Sequence, residues 1–252
     1  MGNSQSSPQP TNSPSLIEST VTSLNQVSIR QQKLPIIYEA PTQTVAKKIM
    51  QDIWAQVTNS CTVITGSISM IEDTHQFAMA GCDVAKELLE GTLNDQALDK
   101  EISVLIAKAS VTYTTLKSFK DNLCVLRASL NKLHVDSKET IEFLERASRI
   151  SFFRRWLESR AKREERETIQ RDYDLVSEGE QIMEAFREFL NHVIKWINDA
   201  QSNTNYIKSN LQEYQRGDNM RANGMAAKFK ILCDELPKYQ AAVEECRDKC
   251  PQ

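Results

Sequence analysis

The residues with the clearest chemistry open the chain, in MGNSQS. N-myristoyl transfer joins an acyl group to the α-amine of a glycine exposed by loss of the initiator Met, and it requires Ser or Thr at position 6. Gly2 and Ser6 meet both demands, with the small uncharged Asn3, Ser4 and Gln5 between them. From Asn3 to Ser15 every residue is Ser, Pro, Asn, Gln or Thr, and the first charge is Glu18. Such a composition cannot bury apolar surface, so residues 1–15 are expected to form a disordered leader that threads into a transferase and then acts as a tether. Gly2 is the candidate lipidation site.

Over these few residues the head resembles those of N-myristoylated peripheral membrane proteins, which implies attachment to a membrane surface. A single myristoyl chain binds bilayers only marginally, with an association constant on the order of 10⁴ M⁻¹, so a second signal is required. The leader holds none, because the first basic residue is Arg30 and the first cysteine is Cys61. The C-terminal CRDKCPQ is no prenylation box, since Cys250 is followed by only Pro251 and Gln252.

The body offers one candidate for that signal. Residues 146–171, RASRISFFRRWLESRAKREERETIQR, hold nine Lys or Arg against four Glu inside a chain of net charge −3. Aromatic rings beside guanidinium groups suit an anionic bilayer interface, where rings enter the headgroup region and the cations meet phosphates. Phe152, Phe153, Arg154, Arg155, Trp156, Arg160, Lys162, Arg163 and Arg166 are therefore the candidate membrane or partner contacts. The competing reading packs the rings into a helical core and leaves the arginines to water.

Other chemistry finds no constellation. The three His and six Cys show no zinc spacing, and Cys246 with Cys250, at i,i+4, read as small apolar seam residues. There is no phosphate-cradling glycine loop, no H-E-x-x-H and no nucleophile elbow. The acidic net charge points away from nucleic acid. With no secretory leader and no apolar run approaching the roughly 18 residues of a spanning helix, the chain is expected in the cytoplasm with reduced thiols. No enzyme activity, cofactor, metal or small-molecule substrate is expected.

The elements that must position these residues follow from periodicity. No proline falls between Thr42 and Leu236, which suits long helices. Apolar residues step alternately by four and three through Leu98, Ile102, Leu105, Ala109, Thr112, Leu116, Phe119, Leu123, Leu126, Leu130 and Leu133, a heptad seam. Like seams run from Cys61 to Leu89, from Leu190 to Tyr214 and from Met225 to Cys250, with His75 and Thr112 as polar members. Turn signals at Gly91–Asn94, His134–Ser137, Ser177–Glu180 and Arg216–Asn219 predict helices near 42–90, 95–133, 137–176, 178–216 and 219–250, with a further short helix around 16–33. The break at 178–180 is soft enough that one helix over 137–216 is the rival. Pro237 is expected to kink or restart the last helix.

The expected fold is all-α: an elongated antiparallel bundle of about five long coiled-coil-like helices behind the leader. Residues 1–15 form the leader, 16–41 a short helix and proline-flanked linker, and 42–252 one bundle domain. The function expected is a non-enzymatic, myristoyl-anchored scaffold or interaction module on the cytosolic face of an anionic membrane, with a protein partner or a second copy on its helical faces. The alternative is a bundle that remodels or permeabilises bilayers. In architecture the chain is similar to membrane-curving helical dimers and α-helical pore formers, a likeness of shape without a shared motif.

Overall fold

A computed structural model of the chain describes residues 16–40, 43–91, 93–153 and 160–250, with the helix path alone for 149–153 and 160–162. The described residues form seven helices and no strand: α1 (Leu16–Gln31), α2 (Leu34–Glu39), α3 (Thr44–Thr65), α4 (Ser67–Glu90), α5 (Asp95–Phe153), α6 (Arg160–Gln212) and α7 (Asn219–Asp248). The expected leader, Gly2 included, lies outside the described residues. At 1.5 Å per residue, the 59 residues of α5 and the 53 of α6 make rods of about 90 and 80 Å.

The heptad seams are the core. Leu105, Ala109, Thr112, Leu116, Phe119, Leu123, Leu126, Leu130 and Leu133 are all buried, as are Leu190, Val193, Ile197, Ala200, Thr204, Ile207 and Leu211. Cross-helix contacts fix the register of α5 and α6. Lys120 donates to Gln201 (3.1 Å), Arg127 to Asn191 (3.3 Å), Arg187 to Asn131 (2.8 Å) and Ser148 to Gln170 (3.4 Å). Numbers rise along α5 as they fall along α6, so the two form a single antiparallel hairpin.

Two expected turns are helix instead. His134–Ser137 lies inside α5, where Ser137 is buried and returns its hydroxyl to the Leu133 carbonyl (2.8 Å). Thr140 does the same to Asp136 (3.0 Å), so the seam runs on through Leu133, Ser137, Thr140 and Leu144 with its polar members satisfied by their own helix. Ser177–Glu180 lies inside α6. Gly179 there is an approach point rather than a breaker: a Cβ at this position would stand 3.0 Å from both Ile53 Cδ1 and Met50 Sδ of α3. The expected helices 95–133, 137–176 and 178–216 are thus replaced by two.

Other boundaries fall as expected. Gly91 is left-handed (φ 68°) and its N–H closes α4 on the Glu87 carbonyl, while Asn94 Oδ1 accepts from the Ala97 N–H at the start of α5 (2.9 Å). Asp218 Oδ1 caps α7 by accepting from the Arg221 N–H (3.1 Å). α7 continues through Pro237 without restarting. The expected helix 42–90 is divided only at Gly66, which keeps right-handed helical angles. In α4 the polar seam position shifts by one residue: Thr74 is buried, bonding the Met70 carbonyl (2.7 Å), and His75 is half-buried.

The remaining helices line the hairpin. Thr44 shares a groove with Phe143, and Gly66 another with Ser118, so α3 and α4 run antiparallel to α5. Phe77 meets Phe229 edge-on (5.5 Å between ring centres) and Trp196 lies on Tyr239 (5.0 Å), which seats α7 between α4 and α6. α1 lies antiparallel on α6, with Ser23 Oγ at 2.5 Å from His192 Nδ1 and Arg30 bonding the Gln181 carbonyl (3.1 Å). Its Ile17, Leu24 and Val27 are buried in the common core. α2 is pinned to α3 by Tyr38 against Trp54 (4.7 Å).

Candidate functional site

The turn of the hairpin falls inside the basic and aromatic stretch. Sequence reasoning put residues 146–171 on one helix; the chain instead leaves α5 at Phe153 and enters α6 at Arg160. Phe152 and Phe153 end one rod, and Arg160, Lys162, Arg163 and Arg166 begin the other. Arg154, Arg155 and Trp156 lie outside the described residues. Neither glycine nor proline marks the reversal. Among the described residues the seam is buried up to Leu144 in α5 and from Ile169 onward in α6.

Among the described residues, this end projects beyond the start of α3. The start of α3 is tied down at Asp172 of α6, a fully buried residue whose Oδ2 accepts from the Gln43 N–H (2.9 Å). Residues 160–171 therefore continue past that level, a length of about 18 Å at helical rise. Along this extension Arg163 is exposed and pairs with Glu167 (3.1 Å), while Arg146, also exposed, bonds the Glu142 carbonyl (3.2 Å). Arg166 is half-buried. Glu164, Glu165 and Glu167 are exposed. The described part of the extension is thus a solvated, mixed-charge surface, with the net positive charge of the stretch concentrated toward the reversal.

At the root of the extension lie apolar groups that sequence reasoning missed. Phe143 is 52% exposed and Val45 47%, and they share a groove with Thr44, Lys48, Ile49, Asp52, Asp136, Glu139 and Thr140. Ile36, on α2, is 75% exposed. The signal for Phe143 was present: it sits one step off the seam formed by Thr140 and Leu144.

Two clusters of reactive side chains lie elsewhere. His134 Nδ1 is 2.9 Å from Glu180 Oε1 and 3.9 Å from Glu184 Oε2, while Arg187 pairs with Glu184. The ligand-type atoms of His134, Glu180 and Glu184 all lie within 4.8 Å of one another. The Arg187 guanidinium already neutralises Glu184 and ties it to Asn131, so the group is closed as an ion-pair network between α5 and α6. The second cluster is sulfur. Gln31 accepts from the Cys61 thiol (3.2 Å) and donates to the Cys246 carbonyl (3.2 Å). The neighbouring Cys246 thiol lowers the Cys250 pKa to about 4, while those of Cys246 and Cys61 are raised. Farther down α7, Cys233 meets Cys82 of α4.

No protein-family profile matches the chain, and no curated protein does. Among solved structures it is similar to the soluble AhlC of the tripartite α-pore-forming toxin AHL from Aeromonas hydrophila, at 12% identity. That match covers 92% of this chain and 98% of the other, with a TM-score of 0.42. It is also similar to the soluble triple head mutant of the same AhlC, at 10% identity, 88% and 98% coverage and a TM-score of 0.47.

Proposed function

We propose that this chain is a non-enzymatic peripheral membrane protein, anchored by a myristoyl group on Gly2 and steadied on anionic lipid by the reversing end of the α5–α6 hairpin. The bundle behind that end serves as a scaffold for a protein partner on the cytosolic face of the membrane. The reading rests on one observation above all: the chain reverses within its most basic and aromatic stretch, at an end that projects past the start of α3. A reversal whose sequence is rich in Arg, Phe and Trp has the composition of an interfacial anchor.

The anchors sit at different levels. The register of α1 on α6, Arg30 at Gln181 and Ser23 near His192, brings Leu16 opposite the region of Ala200. From there to Arg160 is about 60 Å along α6. A leader from Gly2 to Ser15 spans at most about 50 Å fully extended. Both anchors therefore meet one membrane only when the long axis tilts toward the surface, which turns a flank of the bundle to the lipid.

Intact mass and flotation test the reading. Protein from cells with N-myristoyltransferase should lack Met1, carry the acyl mass and float with anionic vesicles, and Gly2→Ala should lose both the mass and the flotation. An unmodified N-terminus on membrane-bound protein would end it. The second reading, a bilayer-permeabilising bundle, draws on the same projecting two-helix end. Release of a trapped dye from vesicles at concentrations that saturate binding would favour it over the scaffold.

A further inference from the structure

Six cysteines are free, and two of them face each other across a helix pair. Cys82 Sγ on α4 lies 3.5 Å from Cys233 Sγ on α7, with Met79 Sδ a further 3.7 Å from Cys233. The approach is enforced by neighbours. Gly81 gives up its side chain to the ring of Phe229, which lets α4 and α7 close on one another one residue before Cys82 and one turn before Cys233. Both sulfurs are only partly buried, and Met79 beside them is 50% exposed, so a small reagent reaches the pair.

We propose that Cys82 and Cys233 are a disulfide-forming modification site that fastens α7 to α4. A disulfide needs sulfurs about 2.05 Å apart, and these two start 3.5 Å apart across the α4–α7 pair. The oxidant is a small-molecule disulfide. Burial, the Cys82 thiol and the carboxylates of Asp234 and Asp83 push Cys233 up to about 12, which keeps it protonated and leaves Cys82 as the sulfur that attacks. Cys82 displaces one thiol from the reagent and becomes a mixed disulfide. Cys233 then gives up its proton to the departing reagent thiolate as its sulfur attacks the Cys82 sulfur and displaces the second thiol. Two protein S–H bonds and one reagent S–S bond are lost; one protein S–S bond and two reagent S–H bonds form. The proposal stands apart from the membrane reading, because it concerns only the α4–α7 seam.

The test treats the full folded chain with oxidised glutathione at mildly alkaline pH, blocks the remaining thiols in denaturant and maps the peptides. The expected result is a Cys82–Cys233 linked peptide, formed at least tenfold faster in the folded chain than in urea, with Cys82→Ala leaving Cys233 open to alkylation. Both Cys82 and Cys233 recovered as alkylated peptides would overturn the proposal, as would linkage no faster in the folded chain than in urea. A disulfide confined to Cys61, Cys246 and Cys250 would overturn it as well.

Discussion

Gly81 of α4 faces the ring of Phe229 on α7, and a methyl group at position 81 would overlap that ring. The contact lies on the α4–α7 seam, with Phe77, one turn earlier on α4, meeting the same ring edge-on (5.5 Å). Helix propensity alone would favour alanine here by about 1 kcal/mol. Overpacking against a buried aromatic costs about 1–3 kcal/mol. Gly81→Ala is therefore expected to lower stability in urea denaturation, and Phe229→Leu in the same chain to recover part of the loss. Higher stability for Gly81→Ala alone would mean that the helices do not meet at this residue.

The continuity of α5 through His134–Ser137 has its own test. Asp136 is exposed, so replacing it probes the backbone and little else. A proline inside a helix removes a hydrogen bond and clashes with the preceding turn, at a cost of about 3 kcal/mol. Asp136→Pro is expected to lose that much in urea denaturation. A turn at this place would accept the proline with little change.

The sequence carried the seams well because burial and period agree there. Leu116, Leu123 and Leu130 are each fully buried at the positions their spacing requires. It misled where one residue type serves two purposes. Ser137 reads as part of a turn, yet in the seam it, like Thr140, returns its hydroxyl to the helix and stays buried. Gly179 reads as a breaker, yet its missing side chain makes room for Met50 and Ile53. The reversal between Phe153 and Arg160 has no breaker at all, so local signals could not mark it. Arg216-Gly217-Asp218 shows the opposite case: Arg216 pairs with Asp95, Gly217 takes φ 89° and Asp218 caps α7.

Cys250 should behave unlike an ordinary thiol. The neighbouring Cys246 thiol lowers its pKa to about 4, so its thiolate is expected to persist toward neutral pH. Alkylation of an ordinary cysteine rises about tenfold per pH unit below its pKa, because only the thiolate reacts. Brief iodoacetamide labelling at pH 6 is expected to mark Cys250 first, at a rate nearly constant to pH 8. Cys250→Ser should remove that fast phase, and a rate at Cys250 that climbs tenfold per unit would show an unperturbed thiol.

The measurement nearest the centre of the account is binding of myristoylated protein to anionic vesicles with Arg154, Arg155 and Arg160 all replaced by Gln. Each basic group at such a surface contributes about 1 kcal/mol. The triple variant is expected to bind roughly a hundredfold more weakly than the unaltered chain, with raised salt reproducing the loss and neutral vesicles showing little difference. Equal binding of the variant and the unaltered chain to anionic vesicles would contradict the account, leaving the reversing end of the hairpin without a part in membrane attachment.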